Sequence, residues 1–429
     1  MVEEDVTVTK YWTWERTSII LSRGKKVSNY QPTYRKEMKR ITDPNSPYTF
    51  FQQRFQYIYQ HPEKVFTSIV ENVPHWPISP FNTLAPFPTS SVGEYAPCQG
   101  QPDLINAICI RENQQYGMSL QHPHVLVTNG ALYGLSLIFR DLYQLGSVVL
   151  CQAPLLSNIA NMLLDIGYQI SYFSTPNGTV DIDWLRQNCH PAVRAIYINT
   201  PHNPTGDICS PNTVEQLVRL VTERKMALVM DMVYDSFVFN CSPIAHPFLY
   251  SEQWDHLFVV NSMSKNYGAP GLRVGWSISA PGNIARLGVR LDRESIAVCG
   301  SAQDKARQLL AVDNKPLVEA TLRGKELIEQ SFACYPYIHL TPAKGGVQFF
   351  VKLPVDDIEA FADHMLLEYG LFFATSAHYS GVRGSYIRIA MGQPMTLLKK
   401  AISMLKDGLA HNRSQSYEET FLRSQPLFP

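Results

Sequence analysis

From about residue 124 onward, short apolar runs alternate with stretches of helical periodicity. Val125-Leu126-Val127, Val148-Val149-Leu150, Ala195-Ile196-Tyr197-Ile198, Ala227-Leu228-Val229-Met230 and Leu257-Phe258-Val259-Val260 read as buried strands, with Gly275-Trp276-Ser277-Ile278 as a further one. The alternation predicts an α/β fold with a mainly parallel sheet covered by helices on both faces. Upstream, Asp103 to Gln115 reads as an amphipathic helix with Leu104, Ile105, Ile108 and Cys109 on one face. After Lys315 a helical pattern runs to Phe332, and strands around Val347–Val351 and Tyr386–Ala390 alternate with helices, which predicts a smaller α+β domain. Residues 1–75 show no clean alternation beyond patches such as Tyr48–Phe55 and read as an amino-terminal arm with a helix or two. Pro74, Pro77, Pro80, Pro86 and Pro88 break the next stretch into extended pieces with no regular element. The expected division is an arm over 1–75, a large domain over 76–312, a small domain over 313–412 and a tail over 413–429.

Composition narrows the function. The 429 residues are 45% hydrophobic and 17% charged, enough for a large core. Thirty-seven Lys+Arg balance thirty-seven Asp+Glu, so nothing in the charge favours nucleic acid or an anionic membrane, and a small-molecule partner is expected. The eight cysteines are scattered, without Cys-x-x-Cys or His spacing suited to zinc, and read as reduced thiols; no metal site is expected. The acidic start Met1-Val2-Glu3-Glu4-Asp5 is unlike a signal peptide, and no apolar run approaches membrane-spanning length. A cytoplasmic protein is expected.

The chemistry concentrates where apolar runs end. In Asn261–Trp276, small hydroxyls, one lysine, three glycines and one arginine lie between two strands, on a connection that lifts Lys265 out of the core. A lysine held there without its usual solvation has a lowered pKa and a neutral amine able to attack an aldehyde. Ser262, Ser264 and Arg273 supply donors and a fixed cation for a phosphate; a solvated loop with an idle lysine is the other reading. Gly130, Ala131 and Leu132 follow a strand directly and open an apolar helix, so unpaired N–H groups and a positive helix end meet there; this is either an anion site or an ordinary turn. Asn203, bracketed by Pro201 and Pro204, is held at another strand end, where its amide could reach a phenolate oxygen. Asp231 and Tyr234 follow the next strand, one strand-helix-strand unit later. A carboxylate buried there needs a partner such as a pyridinium nitrogen, unless it is a cap or turn residue like the nearby Asp235.

Pro201-His202-Asn203-Pro204-Thr205-Gly206 and Ser262-Met263-Ser264-Lys265-Asn266-Tyr267-Gly268-Ala269-Pro270-Gly271-Leu272-Arg273-Val274-Gly275 are highly specific. On these motifs the chain resembles the fold-type I pyridoxal 5′-phosphate enzymes, in particular the class I/II, aspartate aminotransferase-like group, over roughly residues 90–410. The resemblance implies that Lys265 forms the Schiff base and shuttles the proton, with the amino-acid substrate passing through an external aldimine and a quinonoid. It implies Asp231 against the pyridine nitrogen, Asn203 and Tyr234 at the phenolic oxygen, and Ser262, Ser264, Arg273 and the Gly130–Leu132 backbone at the phosphate. Tyr95 matches the tyrosine that reaches the phosphate of a neighbouring subunit, which implies a homodimer with shared sites. Arg388 matches the arginine for the substrate α-carboxylate, although strand alternation alone leaves it able to face solvent.

The pattern also departs from the group. Leu156 stands where an aromatic usually stacks on the cofactor ring, and the glycine-bearing segment expected before the large domain is not recognisable in 74–88. An aminotransferase is therefore the first expectation. A specialised biosynthetic enzyme is the second: the lysine motif also resembles that of aminocyclopropane-carboxylate synthases, which eliminate at the γ-carbon of S-adenosylmethionine, and Asn158–Leu163 resembles arginine-oxidising relatives. A non-catalytic pyridoxal-phosphate-binding regulatory module is the third, and the arm offers no basic helix-turn-helix for it.

Overall fold

A computed structural model describes residues 40–86, 93–239, 244–335, 338 and 340–411. Most of the expected arm, Pro88, Cys241 and the 413–429 tail lie outside the described residues. Seven strands form the main sheet: β1 (Val125–Thr128), β2 (Val148–Ala153), β3 (Gln169–Ser174), β4 (Val193–Asn199), β5 (Ala227–Asp231), β6 (Leu257–Ser262) and β7 (Gly275–Ile278). Their order is β1-β7-β6-β5-β4-β2-β3. Only β7 runs against its neighbours, so the sheet is mainly parallel as the apolar runs predict.

Period-two alternation assigns each strand residue to one of two apolar layers. Val125, Val127, Leu150, Ile196, Ile198, Leu228, Met230 and Val259 face helices Pro102–Tyr116, Pro211–Arg224 and Gly300–Leu310. Leu126, Val149, Ala195, Tyr197, Val229, Phe258 and Val260 face helices Ala131–Leu142, Ser157–Ile166 and Pro281–Ser295. Burial of each large aliphatic side chain contributes about 1.5–3 kcal/mol, so the strand ends are rigid platforms. The edge strand β3 escapes the apolar-run reading because its residues are mostly half-exposed and mixed in polarity.

A second, three-stranded antiparallel sheet is built from β8 (Gln348–Lys352), β9 (Ala374–Thr375) and β10 (Tyr386–Ala390), with β10 in the centre. Phe349, Val351, Ile387 and Ile389 pack with helices Lys315–Phe332, Ile358–Tyr369 and Met395–His411. Helix Phe50–Gln60, closed by a Thr49/Gln52 capping box, packs Phe51 and Phe55 on Phe372. Thr67–Ser68 then pairs in parallel with Leu371–Phe372. Beyond it, the proline-rich stretch holds one short 3₁₀ turn, Pro80–Thr83, where no regular element is expected; Ser79 caps it and Pro80 sits at its first position. No described helix is long and apolar enough to cross a membrane.

Candidate active site

Five strands of the main sheet end at one cleft, the place where open α/β sheets receive ligands. It encloses a cavity of about 210 Å³, lined by Ala131 and Leu132 after β1, Leu156 after β2, Asn203 after β4, Asp231 and Tyr234 at and after β5, and Ser262, Ser264, Lys265 and Arg273 after β6. Tyr197, Asn199, His202 and Pro270 also line it. Most of the sequence-predicted residues are thus brought together; Gly130 stands behind the lining against Arg273, and two others are placed differently. Arg388 touches the site through its partners rather than the cavity wall, and Tyr95 stands apart, 81% exposed.

The anion corner is made by backbone. Gly130 caps helix Ala131–Leu142 with φ 78° and no side-chain cap, so the first-turn N–H groups stay open to the cleft. The left-handed backbone alone favours glycine, and a Cβ there would meet Arg273 Nη2 at 2.6 Å. Gly275 on β7 is needed for a different reason, since a Cβ would lie 2.7 Å from the Ala131 nitrogen. Arg273, itself left-handed at φ 53°, holds its guanidinium beside Gly130 by donating to Pro270 O at 3.2 Å, which leaves most of its donors free. Ser262 caps the four-residue helix Met263–Asn266 that carries Lys265, its Oγ accepting from Ser264 N at 3.3 Å. Lys265 therefore rides a short helix rather than a plain connection.

Lys265 Nζ donates to Asn72 Oδ1 at 2.7 Å, and Asn72 Nδ2 donates to the Tyr234 hydroxyl. Although the side chain opens to the cleft, burial of its amine, reinforced by the nearby Arg388 and Arg273 charges, brings its pKa down to about 7. Asp231 is buried, accepting from Tyr197 Oη at 3.1 Å and Val233 N at 3.3 Å; burial pushes its carboxyl up to about 6 against those two donors. Burial also raises the Tyr234 phenol. Asn203 N donates to Asn199 Oδ1 at 2.7 Å, and its Oδ1 accepts from Tyr379 Oη at 2.9 Å, so the amide nitrogen is the end free to donate elsewhere. His202 is not acid-base machinery. Burial lowers it to about 4, and its ring is tied to Thr205 and Pro154 O.

Arg388 resolves the ambiguity left by alternation. It is 8% exposed, on the face of the small sheet opposite Ile387 and Ile389, next to the stacked Phe350 and Tyr386 rings. Its Nη2 donates to Val70 O at 2.5 Å and its Nη1 to Tyr379 Oη at 2.9 Å, while Nε is buried without a partner. Asn72, Tyr197 and Tyr379 were not singled out from sequence. Tyr197 carries a weak signal, as the one polar tip inside an apolar run; Asn72 and Tyr379 reach the cleft from far along the chain and carry none.

Comparisons with known proteins agree with this geometry. Residues 84–405 match the family described as aminotransferase class I and II. A Pseudomonas syringae pv. syringae protein named L-aspartate:5-guanidino-3-methyl-2-oxopentanoate transaminase is 40% identical over 378 residues, covering 86% of this chain and 96% of its own. The 3-methylarginine biosynthesis aminotransferase ArgM of Streptomyces arginensis is 35% identical over 351 residues, covering 82% and 94%. Among solved structures, the aspartate aminotransferase of Thermotoga maritima superposes with a TM-score of 0.77 at 20% identity, covering 85% of this chain and 98% of its own, a likeness of fold. The chain belongs to the class I and II aminotransferases, enzymes that use pyridoxal 5′-phosphate.

Proposed function

We propose that this aminotransferase moves an amino group between aspartate and a 2-oxo acid with a guanidino side chain. The observation that carries the reading is the 40% identity over 96% of a transaminase named for that pair. Incubation of the purified protein with aspartate and 5-guanidino-3-methyl-2-oxopentanoate tests it by mass spectrometry. The expected products are oxaloacetate and 3-methylarginine; a protein that transaminates other 2-oxo acids but not this one contradicts it.

The donor set supports pyridoxal phosphate as the resident group. The open N–H groups at Ala131 and Leu132, the Ser262 and Ser264 hydroxyls and the Arg273 guanidinium suit a phosphate dianion. Asp231, short of hydrogen bonds, suits a protonated pyridine nitrogen, and Asn203 and Tyr234 suit the phenolic oxygen. The bound cofactor supplies an aldehyde and an electron sink for the amino acid's Cα electrons.

The chain's own residues do the rest. Lys265, its pKa brought down to about 7 by burial, has a neutral amine accessible near neutral pH that would attach to the cofactor's aldehyde and could move a proton at the substrate Cα. Asn72 orients that amine and the Tyr234 hydroxyl together. Arg388 takes the substrate α-carboxylate with a fork already fixed by Val70 O and Tyr379. Leu156, in the cavity wall, would pack the ring by dispersion where an aromatic would otherwise stack.

Three further expectations belong to this reading. Exposure of Tyr95 supports its use by a second copy, in a homodimer with shared sites. The apolar core built mainly on residues 317–409, joined by Ile69, Val233, Tyr234, Phe237 and Phe239, supports a smaller domain over 313–412 after a large one over 76–312. Seven described cysteines without disulfides support a cytoplasmic protein.

A further inference from the structure

Three consecutive residues at the mouth of the cleft are tied down one by one. Val70 O accepts from Arg388 Nη2 at 2.5 Å, Glu71 O accepts from Gln393 Nε2 at 2.7 Å, and Asn72 Oδ1 accepts from Lys265 Nζ at 2.7 Å. Both neighbours of Glu71 thus bind cations of the site, which fixes where Glu71 stands. Its carboxylate is exposed and has no hydrogen-bond or ion-pair partner among the described residues. It acts as an attractive charge on Lys265. It also lines a second cavity, of about 450 Å³, with His75, Trp76, Ser79 and Phe81; this cavity shares Pro270 with the first. Trp76 is fixed there by donating from Nε1 to Tyr267 O at 2.9 Å. No lysine or arginine lines that cavity among the described residues.

An exposed glutamate is ordinarily just solvated. This one is distinguished by an anchored backbone, an adjoining aromatic-lined cavity and a neighbour, Asn72, that accepts from the catalytic lysine. We propose that Glu71, beside Trp76, is the specificity-determining residue that takes the guanidinium end of the substrate side chain. The proposal rests on the guanidino-substrate reading above. A carboxylate matches the planar guanidinium fork with two parallel hydrogen bonds, and an aromatic face adds cation–π attraction. With the α-carboxylate at Arg388 and the reacting carbon at Lys265, whose partners Val70 and Asn72 flank Glu71, a long side chain directed into the adjoining cavity would present its guanidinium to Glu71, a contact the short acidic side chain of aspartate does not call on.

The test uses the cofactor-loaded enzyme with aspartate as donor and two isosteric acceptors, 5-guanidino-2-oxopentanoate and the uncharged 5-ureido-2-oxopentanoate. Wild type is expected to favour the guanidino acid in kcat/KM by at least about tenfold, the scale of a charged hydrogen bond. Glu71→Gln should bring the ratio close to one through KM rather than kcat, and Glu71→Asp should retain part of it. Because no described residue bonds the Glu71 side chain, both variants should keep wild-type circular dichroism and cofactor content; Glu71→Ser is a second neutral variant. A preference retained in Glu71→Gln or Glu71→Ser overturns the assignment and leaves the guanidino reading standing. A wild type that uses both acids equally overturns the Glu71 assignment alone, and one that transaminates other 2-oxo acids but not the guanidino acid overturns both.

Discussion

Asp231 and Asp235 lie four residues apart on one connection, 7% and 2% exposed, yet their surroundings are opposite. Asp235 accepts from Arg111 at 2.8 and 2.6 Å, Tyr116 Oη at 2.7 Å, Asn261 Nδ2 at 2.9 Å and Asn266 Nδ2 at 2.6 Å. Glu112 extends the network, accepting from Arg111 at 2.7 Å and Trp276 Nε1 at 3.0 Å. That region is saturated, and it locks the helix bearing Lys265 to the helix Pro102–Tyr116. Among the described residues Asp231 has two donors, at 3.1 and 3.3 Å, and a carboxyl pushed up to about 6 by burial. A buried carboxylate with its needs met is architecture; one left short of a counter-charge marks where a ligand completes the set.

The largest effect should come from the unsaturated side. Lys265→Ala should lower kcat by about 10⁴-fold or more in single-turnover assays, since both the covalent anchor and the proton carrier are lost. It should not destabilise the cofactor-free protein. The folded pKa of Lys265, about 7, lies below its ordinary 10.5, so burial opposes folding at neutral and acid pH. Stability should therefore rise with pH between about 7 and 10.5 in wild type, and the variant should lack that rise in Tm.

The carboxylate pair breaks the comparison most cleanly. Asp235→Asn leaves Arg111 buried without its closest charge and should cost about 3–5 kcal/mol in denaturant unfolding. Asp231→Asn should do the reverse. Its folded pKa is raised from 3.8 to about 6, so it weighs against the fold above pH 6 and is relieved as pH falls from 6 to 3.8. Asp231→Asn should raise the Tm of the cofactor-free protein at pH 7 while slowing Cα–H exchange by orders of magnitude in the loaded enzyme. If both variants destabilise alike, the contrast drawn here is wrong.

Smaller effects sharpen it. Arg388→Gln removes a charged hydrogen-bond partner worth about 1.5–3 kcal/mol, so KM for the amino acid should rise about 10- to 150-fold. Leu156→Phe adds an aromatic stacking contribution of about 0.5–1.5 kcal/mol, so cofactor dissociation measured by absorbance should tighten at most about tenfold. Weaker binding would mean another group already covers the ring.

Much of the site floor is legible in sequence because each piece is local: a strand's last residue, a cap, a glycine, a lysine in one connection. The mouth is not. Asn72 and Glu71 lie in a proline-flanked extended segment without periodicity, and they acquire meaning only when Arg388 and Lys265, hundreds of residues later, fold against them. Alternation places Arg388 opposite Ile387 and Ile389 but cannot say that this face is covered by Val70 and Tyr379. Leu156 is visible as a departure, yet its pairing with Tyr379 in a two-residue bridge comes from tertiary structure alone. Sequence marks Asp231 by its place at a strand end and by the resemblance, but nothing local reveals that Arg111 is delivered to Asp235 and not to Asp231.

The central claim is that Lys265 is the amine to which the cofactor attaches. Borohydride reduction of the yellow protein, followed by proteolysis and mass spectrometry, reads this directly. The account predicts the pyridoxyl phosphate mass on the peptide carrying Lys265, and its absence from Lys265→Ala. A label on another lysine, or an unchanged label on the variant, would contradict it.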